Sequence, residues 1–372
     1  MRILFLLFIT MLFVTPSYAS SNTIKIGVYL SMTGPVAAWG EPQWRGIQIA
    51  HEIKPTINGK NVKLILEDAA SNPESAALAV QALANRHIKA IIGPVTTTNA
   101  LSGLAITEKK HIVDVIPSAN GLSLTKNKKF AARVCFTNDI QAKIMAQYIA
   151  SFPKYKKGII IEDISQDYSV DLTHFFKKYF EKNKGHTVKI YEINGNENDF
   201  SALCSKIKSL HPDFIYMTTY YKATALFART LRMMGSKTKI FSGSAAATDA
   251  LIDIGKHYAE GITFTDDFDP KVPITKLSKR FIKLYKKRFH KTPGSAESLA
   301  ADAYLLLVYE AERVGFDPDK LGHAIRNAYF RGASGIIHIE DGKTYRSVVI
   351  RTVNNGKFQP IAIFDPVTPH HP

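Results

Sequence analysis

Short apolar runs, most of them uninterrupted, recur through this chain and alternate with stretches of helical spacing. IKIGVYL (24–30), VKLIL (62–66), KAIIG (89–93), Ile112–Ile116, Ala132–Phe136 and GIIIE (158–162) read as strands, as do 187–191, 213–217 and 238–242. Helical segments fall between them. One is entered at Asn72-Pro73, one starts near Thr97–Asn99, and others cover 139–152, 167–183, 199–210 and 222–234. Asn72 supplies an N-cap oxygen, and Pro73 suits the first helical position. Half-exposed antiparallel strands would alternate with period two. Continuous Val/Ile runs separated by helices mark parallel strands covered on both faces, so the expected class is doubly wound α/β.

The strands are too many for one sheet of common size, and the series restarts after about residue 138. Two α/β lobes follow. IIGPVTTT (91–98) and IYMTTYY (215–221) echo each other: an apolar strand runs into a hydroxyl-rich loop and then a helix. Open α/β sheets take ligands at the carboxyl ends of their strands, where helix starts present free N–H groups. Two such edges facing each other would enclose a cleft.

The N-terminus carries an address. Arg2 precedes an uncharged apolar stretch from Ile3 to Val14, Pro16 breaks it, and Ser17-Tyr18-Ala19 places small residues at a cleavage site. Residues 1–19 are therefore expected to be a signal peptide, cut after Ala19. With no cysteine near that site a lipid anchor is not expected, and the mature chain suits a periplasm. The formal net charge is +16, to which the leader adds only Arg2. Lysines are spread along helices, as at Lys276, Lys279, Lys283, Lys286 and Lys287, without interleaved aromatics. That pattern reads as a solvated surface and not as a nucleic-acid face. Cys135 and Cys204 fall in different lobes and are expected to be free, buried thiols.

Sequence signatures of catalysis are missing. The chain has no G-x-S-x-G elbow and no H-E-x-x-H, and no G-x-G-x-x-G follows the first strand. G-K-T at 342–344 has Ile337 where a phosphate loop needs glycine. An enzyme is not expected, nor any cofactor or metal.

Taken in order, IKIGVYLSMTGPVAAWG (24–40), LEDAASNPESAALAVQALA (66–84), AIIGPVTTTNALS (90–102), VIPSANGLSLT (115–125), FTNDIQAKIMAQYI (136–149), EDISQDYSVDL (162–172), DFSALCSKIKSLHPDFIYMTTYY (199–221) and EGITFTDDFDP (260–270) resemble the type I periplasmic solute-binding proteins of ABC importers, in particular the leucine/isoleucine/valine-binding family. The resemblance covers essentially the whole mature chain. It implies two Rossmann-like lobes joined by a three-crossover hinge. The chain would leave lobe 1 near 137–140, return near 265–269 and cross again near 335–345. Lobe 1 is then 22–138 plus 267–338, and lobe 2 is 139–266 plus 339–372. It further implies closure of the lobes on a small-molecule ligand, and delivery to a membrane permease and its ATPase, by a monomer. The same fold also serves ligand sensors that dock on a membrane receptor.

Site residues follow from the resemblance position by position. Thr97 and Thr98 match the hydroxyl loop that holds the ligand carboxylate; the same residues would also serve as a plain helix cap. Ser118 and Asn120 match the loop after the next strand, where the family usually has Ala and Thr. Trp39 matches an aromatic that walls the side-chain pocket, or packs as core. Tyr168 and Tyr220 match lobe-2 residues that cover the ligand, or stand as rim aromatics. Ala245 marks a departure, because the amino-acid binders place there a glutamate that pairs with the ligand ammonium. A buried ammonium without a counter-charge costs several kcal/mol. Either Asp249 or another acid replaces the glutamate, or the ligand is a small organic acid or neutral amide held by Thr97, Thr98 and Tyr220. The family's lobe-1 disulfide is also missing, with Ser71 and Thr96 at its positions.

Overall fold

The computed structural model describes residues 23–195 and 197–365. The signal peptide expected over 1–19 lies outside them. From the N-terminus come β1 (Thr23–Leu30), α1 (Ala37–Ile53), β2 (Thr56–Ile57), β3 (Lys60–Asp68), α2 (Pro73–Asn85), β4 (Ala90–Ile92), α3 (Thr97–Lys110), β5 (Val113–Ile116) and β6 (Ala131–Arg133). Their strands form a six-stranded sheet in the order β2-β3-β1-β4-β5-β6, parallel except for the β2–β3 pair.

The unbroken apolar runs have a direct cause in this sheet. Ile26, Val28 and Leu30 of β1 enter one buried cluster with Ile47 of α1 and Leu305 further along the chain. Tyr29, facing the other way, joins a second cluster with Val80 and Leu83 of α2. With both faces covered, each apolar side chain is worth roughly 1.5–3 kcal/mol of burial whichever way it points.

A second series continues with α4 (Asn138–Ala150), β7 (Lys157–Asp163), α5 (Asp167–Lys182), β8 (His186–Ile193), α6 (Ser201–Ser209), β9 (Phe214–Met217), α7 (Tyr221–Met233), β10 (Lys239–Ser242), α8 (Asp249–Gly255) and β11 (Thr263–Asp266). After it come α9 (Lys276–Phe289), α10 (Ser295–Val314) and α11 (Pro318–Arg326). A small antiparallel sheet follows, of β12 (Tyr329–Arg331), β13 (Ile336–Glu340) and β14 (Lys343–Tyr345), and the described chain closes with β15 (Val348–Asn354) and β16 (Lys357–Phe364). The second large sheet has seven strands in the order β16-β15-β11-β10-β9-β7-β8. Its four pairings from β8 to β11 are parallel as expected, whereas β15 and β16 add antiparallel. Hairpin-linked strands need no crossover helix, which is why the alternating strand–helix pattern did not extend to them.

Three passages join the sheets, at 134–137, at 267–275 and at 346–347. The last falls just after the expected 335–345, because β13 pairs with β12, β14 pairs with β13, and β14 packs against β6 of the first sheet. Arg346, on the third passage, binds the other two and the loop between β12 and β13. Its guanidinium donates to the carbonyl oxygens of Val134 (2.8 Å), Asp267 (2.8 Å) and Ser334 (3.2 Å). Cys135 and Cys204 are free and buried, and burial pushes both thiols up to about 12. Among the described residues, no helix is long and apolar enough to cross a membrane.

Candidate functional site

Strand order locates the site before any side chain is considered. In the first sheet the chain runs from β1 outward to β3 and then crosses to β4 on the other side, so the switch lies between the ends of β1 and β4. The second sheet repeats this with β7, β8 and β9. A crevice opens where such loops diverge. Trp39 follows β1, Thr97 follows β4, Tyr168 follows β7 and Tyr220 follows β9, and all four line one cavity.

The cavity also takes in Ser118 and Asn120 after β5, Ala245 after β10, and Asp266 and Asp267 at the end of β11. Water centres can range over about 50 Å³ within it. With a water radius added all round, there is room for one solute of amino-acid or small aromatic-acid size.

On the first-sheet side, Thr96 caps α3 by accepting from the Asn99 amide at 3.4 Å. Thr97 is buried at the first helical position, and its hydroxyl accepts from the Gly121 amide at 3.2 Å. The opening amides of α3 have no partners within the helix and favour a negative group. Thr98 does not line the cavity: one residue on, the helix has turned by about 100°. Its hydroxyl accepts from the Asp167 amide at 3.3 Å, which bridges the two sheets' loops. Ser118 donates to the Val95 carbonyl at 3.1 Å and accepts from Gln43 at 2.6 Å. Asn120 is buried, with its side-chain amide on the Phe136 carbonyl at 2.8 Å.

On the other side the aromatics form a continuous wall. Trp39 meets Tyr220 edge-on at 5.2 Å and Tyr221 at 5.0 Å, and Tyr220 lies 5.7 Å from Tyr168. The Tyr168 hydroxyl accepts from the Ala245 amide at 3.3 Å, and burial pushes its pKa up to about 12. The Tyr220 hydroxyl is buried with no well-formed hydrogen bond among the described residues; burial raises its pKa well above the usual phenol value, opposed by a weak interaction with the Thr96 side chain. Both tyrosines are neutral donors and acceptors at physiological pH.

Ser71 holds the loop before α1. Its hydroxyl donates to the Thr33 carbonyl at 2.6 Å and accepts from the Val36 amide at 3.2 Å, fixing the turn that leads to Trp39.

Asp249 is exposed on the outer groove and does not reach the cavity. The acids that do are Asp266 and Asp267, which the sequence reading passed over. Asp266 accepts from Arg351 at 2.7 Å and from the Asp267 amide at 2.8 Å. Asp267 accepts from the Phe136 amide at 3.1 Å, with Arg346 Nε at 3.2 Å. Burial pushes Asp267 up to about 7, opposed by Arg346 and reinforced by Asp266. Gln43 was also missed; it sits one turn after Trp39, so i, i+4 spacing on a recognised α1 would have found it. Among the described residues, no group of three or more His, Cys, Asp or Glu is arranged to hold a metal ion.

The periplasmic binding protein family profile matches residues 23–357. The Leu/Ile/Val-binding protein BraC3 of Rhizobium johnstonii is 30% identical over 298 residues, 78% of this chain and 77% of its own. A leucine-binding protein of Thermotoga maritima has 37% identity and superposes with a TM-score of 0.89, covering 92% of this chain and 99% of that one. A solute-binding protein of an ABC transporter from Rhodopseudomonas palustris, solved with 3,4-dihydroxybenzoic acid, shares the fold at 22% identity and TM-score 0.84, with 93% and 98% covered.

Proposed function

Because the chain belongs to the periplasmic binding protein family, a family of binders and not of enzymes, we propose that it is the solute-binding component of an ABC importer. It is exported by its leader, encloses a small amino acid, amide or organic acid between its two lobes, and delivers it unchanged to a membrane permease. The observation that supports this most is the meeting of two switch points, one from each large sheet, on a single cavity. Thr97 and the start of α3 hold the carboxylate. Ser118 and Asn120 shape that corner, and Trp39, Tyr168 and Tyr220 wall the rest beside Ala245. Thr98 acts by bridging to Asp167, and not by touching the solute.

Thermal unfolding across a panel of L-amino acids, small amides and aromatic acids tests this reading. A ligand at a hundred times its Kd adds about 2.7 kcal/mol of stability, a shift that is easily read. A ligand found this way should also contract the protein in solution scattering. Tyr220→Ala should raise the off-rate and leave the on-rate nearly unchanged, because a lid residue acts after first contact. If no compound shifts the transition, or scattering stays fixed at saturation, the reading is wrong.

A further inference from the structure

We propose that the exposed face of α9 is a docking surface for an anionic phospholipid bilayer, on which the protein settles by charge without inserting. The charge pattern stands apart from the identity of the solute, and the choice of a membrane as partner rests on the transport function proposed above.

Positive charge is concentrated on this element. Residues 271–291 hold nine lysines and arginines and no acid, so they carry +9 of the formal +16, and the rest of the chain carries only +7. Along the sequence those lysines read as a scattered, solvated set, but the helix gathers them. At about 100° per residue, Lys276, Lys279, Arg280, Lys283, Lys286 and Lys287 fall within about 120° of its circumference, and all six are exposed. Phe281 and Tyr285, on the opposite side, are buried, and α9 packs against α1.

Helix stability does not account for the stripe. The first turn has no acid, and Lys276, Lys279 and Arg280 stand at the end where the helix dipole repels cations. Lys276 with Arg280, Lys279 with Lys283, and Lys283 with Lys287 are like charges at i, i+4 spacing, which oppose helix formation. Among the described residues, Arg288 alone of the α9 cations has a carboxylate within ion-pair distance, Glu52 at 3.6 Å, and it lies off the stripe. An array that weakens its own helix and has no internal counter-charge calls for an external one.

The residue types choose among polyanions. Five of the six are lysines, compact hydrated point charges suited to a diffuse field, whereas a defined phosphate or carboxylate favours the arginine fork. The arc holds no aromatic or apolar side chain, so it offers no platform for stacked bases and no dry centre for a protein partner. Neighbouring charges stand about 6 Å apart, inside the Debye length of about 8 Å at physiological salt, so they act on a surface together. Because the apolar side of α9 is already buried, the helix cannot sink into acyl chains. Contact stays at the headgroups, reversible and salt-sensitive. A protein held this way looks for its permease along the membrane and not through the volume beside it.

The test is sedimentation of the mature protein with phosphatidylcholine vesicles, with and without about one third phosphatidylglycerol. At low salt the protein should pellet with the anionic vesicles only, and about 0.3 M NaCl should weaken that binding about tenfold or more. Lys279→Glu, Lys283→Glu and Lys287→Glu together should weaken it about tenfold or more at low salt. Lys177→Glu, Lys178→Glu and Lys182→Glu make the same charge change on exposed positions of α5 and should weaken it by less than about threefold. Should the α9 triple variant fail to fold, Lys279→Gln with Lys283→Gln, which removes charge without reversing it, carries the comparison. Equal binding to both vesicle types, binding to neither, or an equal loss in the α9 and α5 variants overturns the inference. So does an α9 variant that keeps vesicle binding but loses a DNA duplex or poly-L-glutamate, which assigns the stripe to a nucleic acid or an acidic protein. Each of these outcomes leaves the solute panel untouched, whereas a panel without response withdraws the transport function and leaves the vesicle result standing.

Discussion

Tyr220 shows what a single side chain in this cavity is asked to do. Its ring is held edge-on by Trp39 while its buried hydroxyl makes no well-formed hydrogen bond among the described residues, with only a weak interaction from the Thr96 side chain. A hydroxyl left in that state costs stability in the empty protein and gains a bond only from the solute. Tyr220→Phe should therefore leave unfolding by denaturant unchanged or slightly more difficult. Solute affinity should fall by roughly tenfold or less, the range of one neutral hydrogen bond. Trp39, Thr97, Tyr168 and Tyr220, which line the cavity, were reached in the sequence through the family resemblance of the segments that carry them. Asp267 was not, because a carboxylate ending a strand reads the same whether it faces solvent or a cavity. Asp249 drew notice by lying close to Ala245 in sequence, yet the turn at 244–246 sends the chain outward before it.

Elements set how accurately those side chains meet. α1 carries Trp39 and Gln43, and the start of α10 brings Ser295 and Leu299 to the same cavity. The two helices pack along each other, and Gly46 makes their approach possible, since a Cβ there would overlap the Glu297 carbonyl oxygen. Gly46→Ala should destabilise the protein by about 1–3 kcal/mol in denaturant titration, the usual result of overpacking. It should also weaken solute binding, although Gly46 itself is not part of the cavity wall, because α10 must move. Strands of the doubly wound series could be read from sequence because burial on both faces leaves an unbroken apolar signature. α1 escaped the reading: Gly40, Pro42 and Gly46 interrupt its pattern, and only the packing against α10 and the loop at Ser31 explains why glycines sit inside a helix. The antiparallel strands near the C-terminus carry polar and exposed positions, and their sheet membership was settled by tertiary pairing.

At the scale of the whole molecule, a few bonds span the cavity. The Tyr221 hydroxyl donates to the Pro35 carbonyl at 2.8 Å, the Asp167 amide to Thr98 at 3.3 Å and the Leu122 amide to Asp171 at 3.3 Å. On the proposed reading these belong to the shut form, so weakening one shifts the balance toward the open form by its own free energy. Tyr221→Phe removes roughly 0.5–1.5 kcal/mol of that bias. Stopped-flow release should then run up to about tenfold faster while the cavity's preference among solutes stays the same; a changed preference would place Tyr221 among the solute's own contacts. The two-lobed plan was visible from the restart of the strand series, whereas the position of the last passage depended on β14 staying with its hairpin. That last passage carries Arg346, which lies 3.2 Å from the Asp267 carboxylate and also grips the other two passages through main-chain oxygens. Such oxygens neither titrate nor change when a side chain is substituted, and a guanidinium keeps its charge throughout the physiological range. Substituting a wall residue such as Trp39 leaves those carbonyl contacts in place, whereas Asp267 belongs to wall and joint at once, so a shift in cargo written there is felt at the hinge.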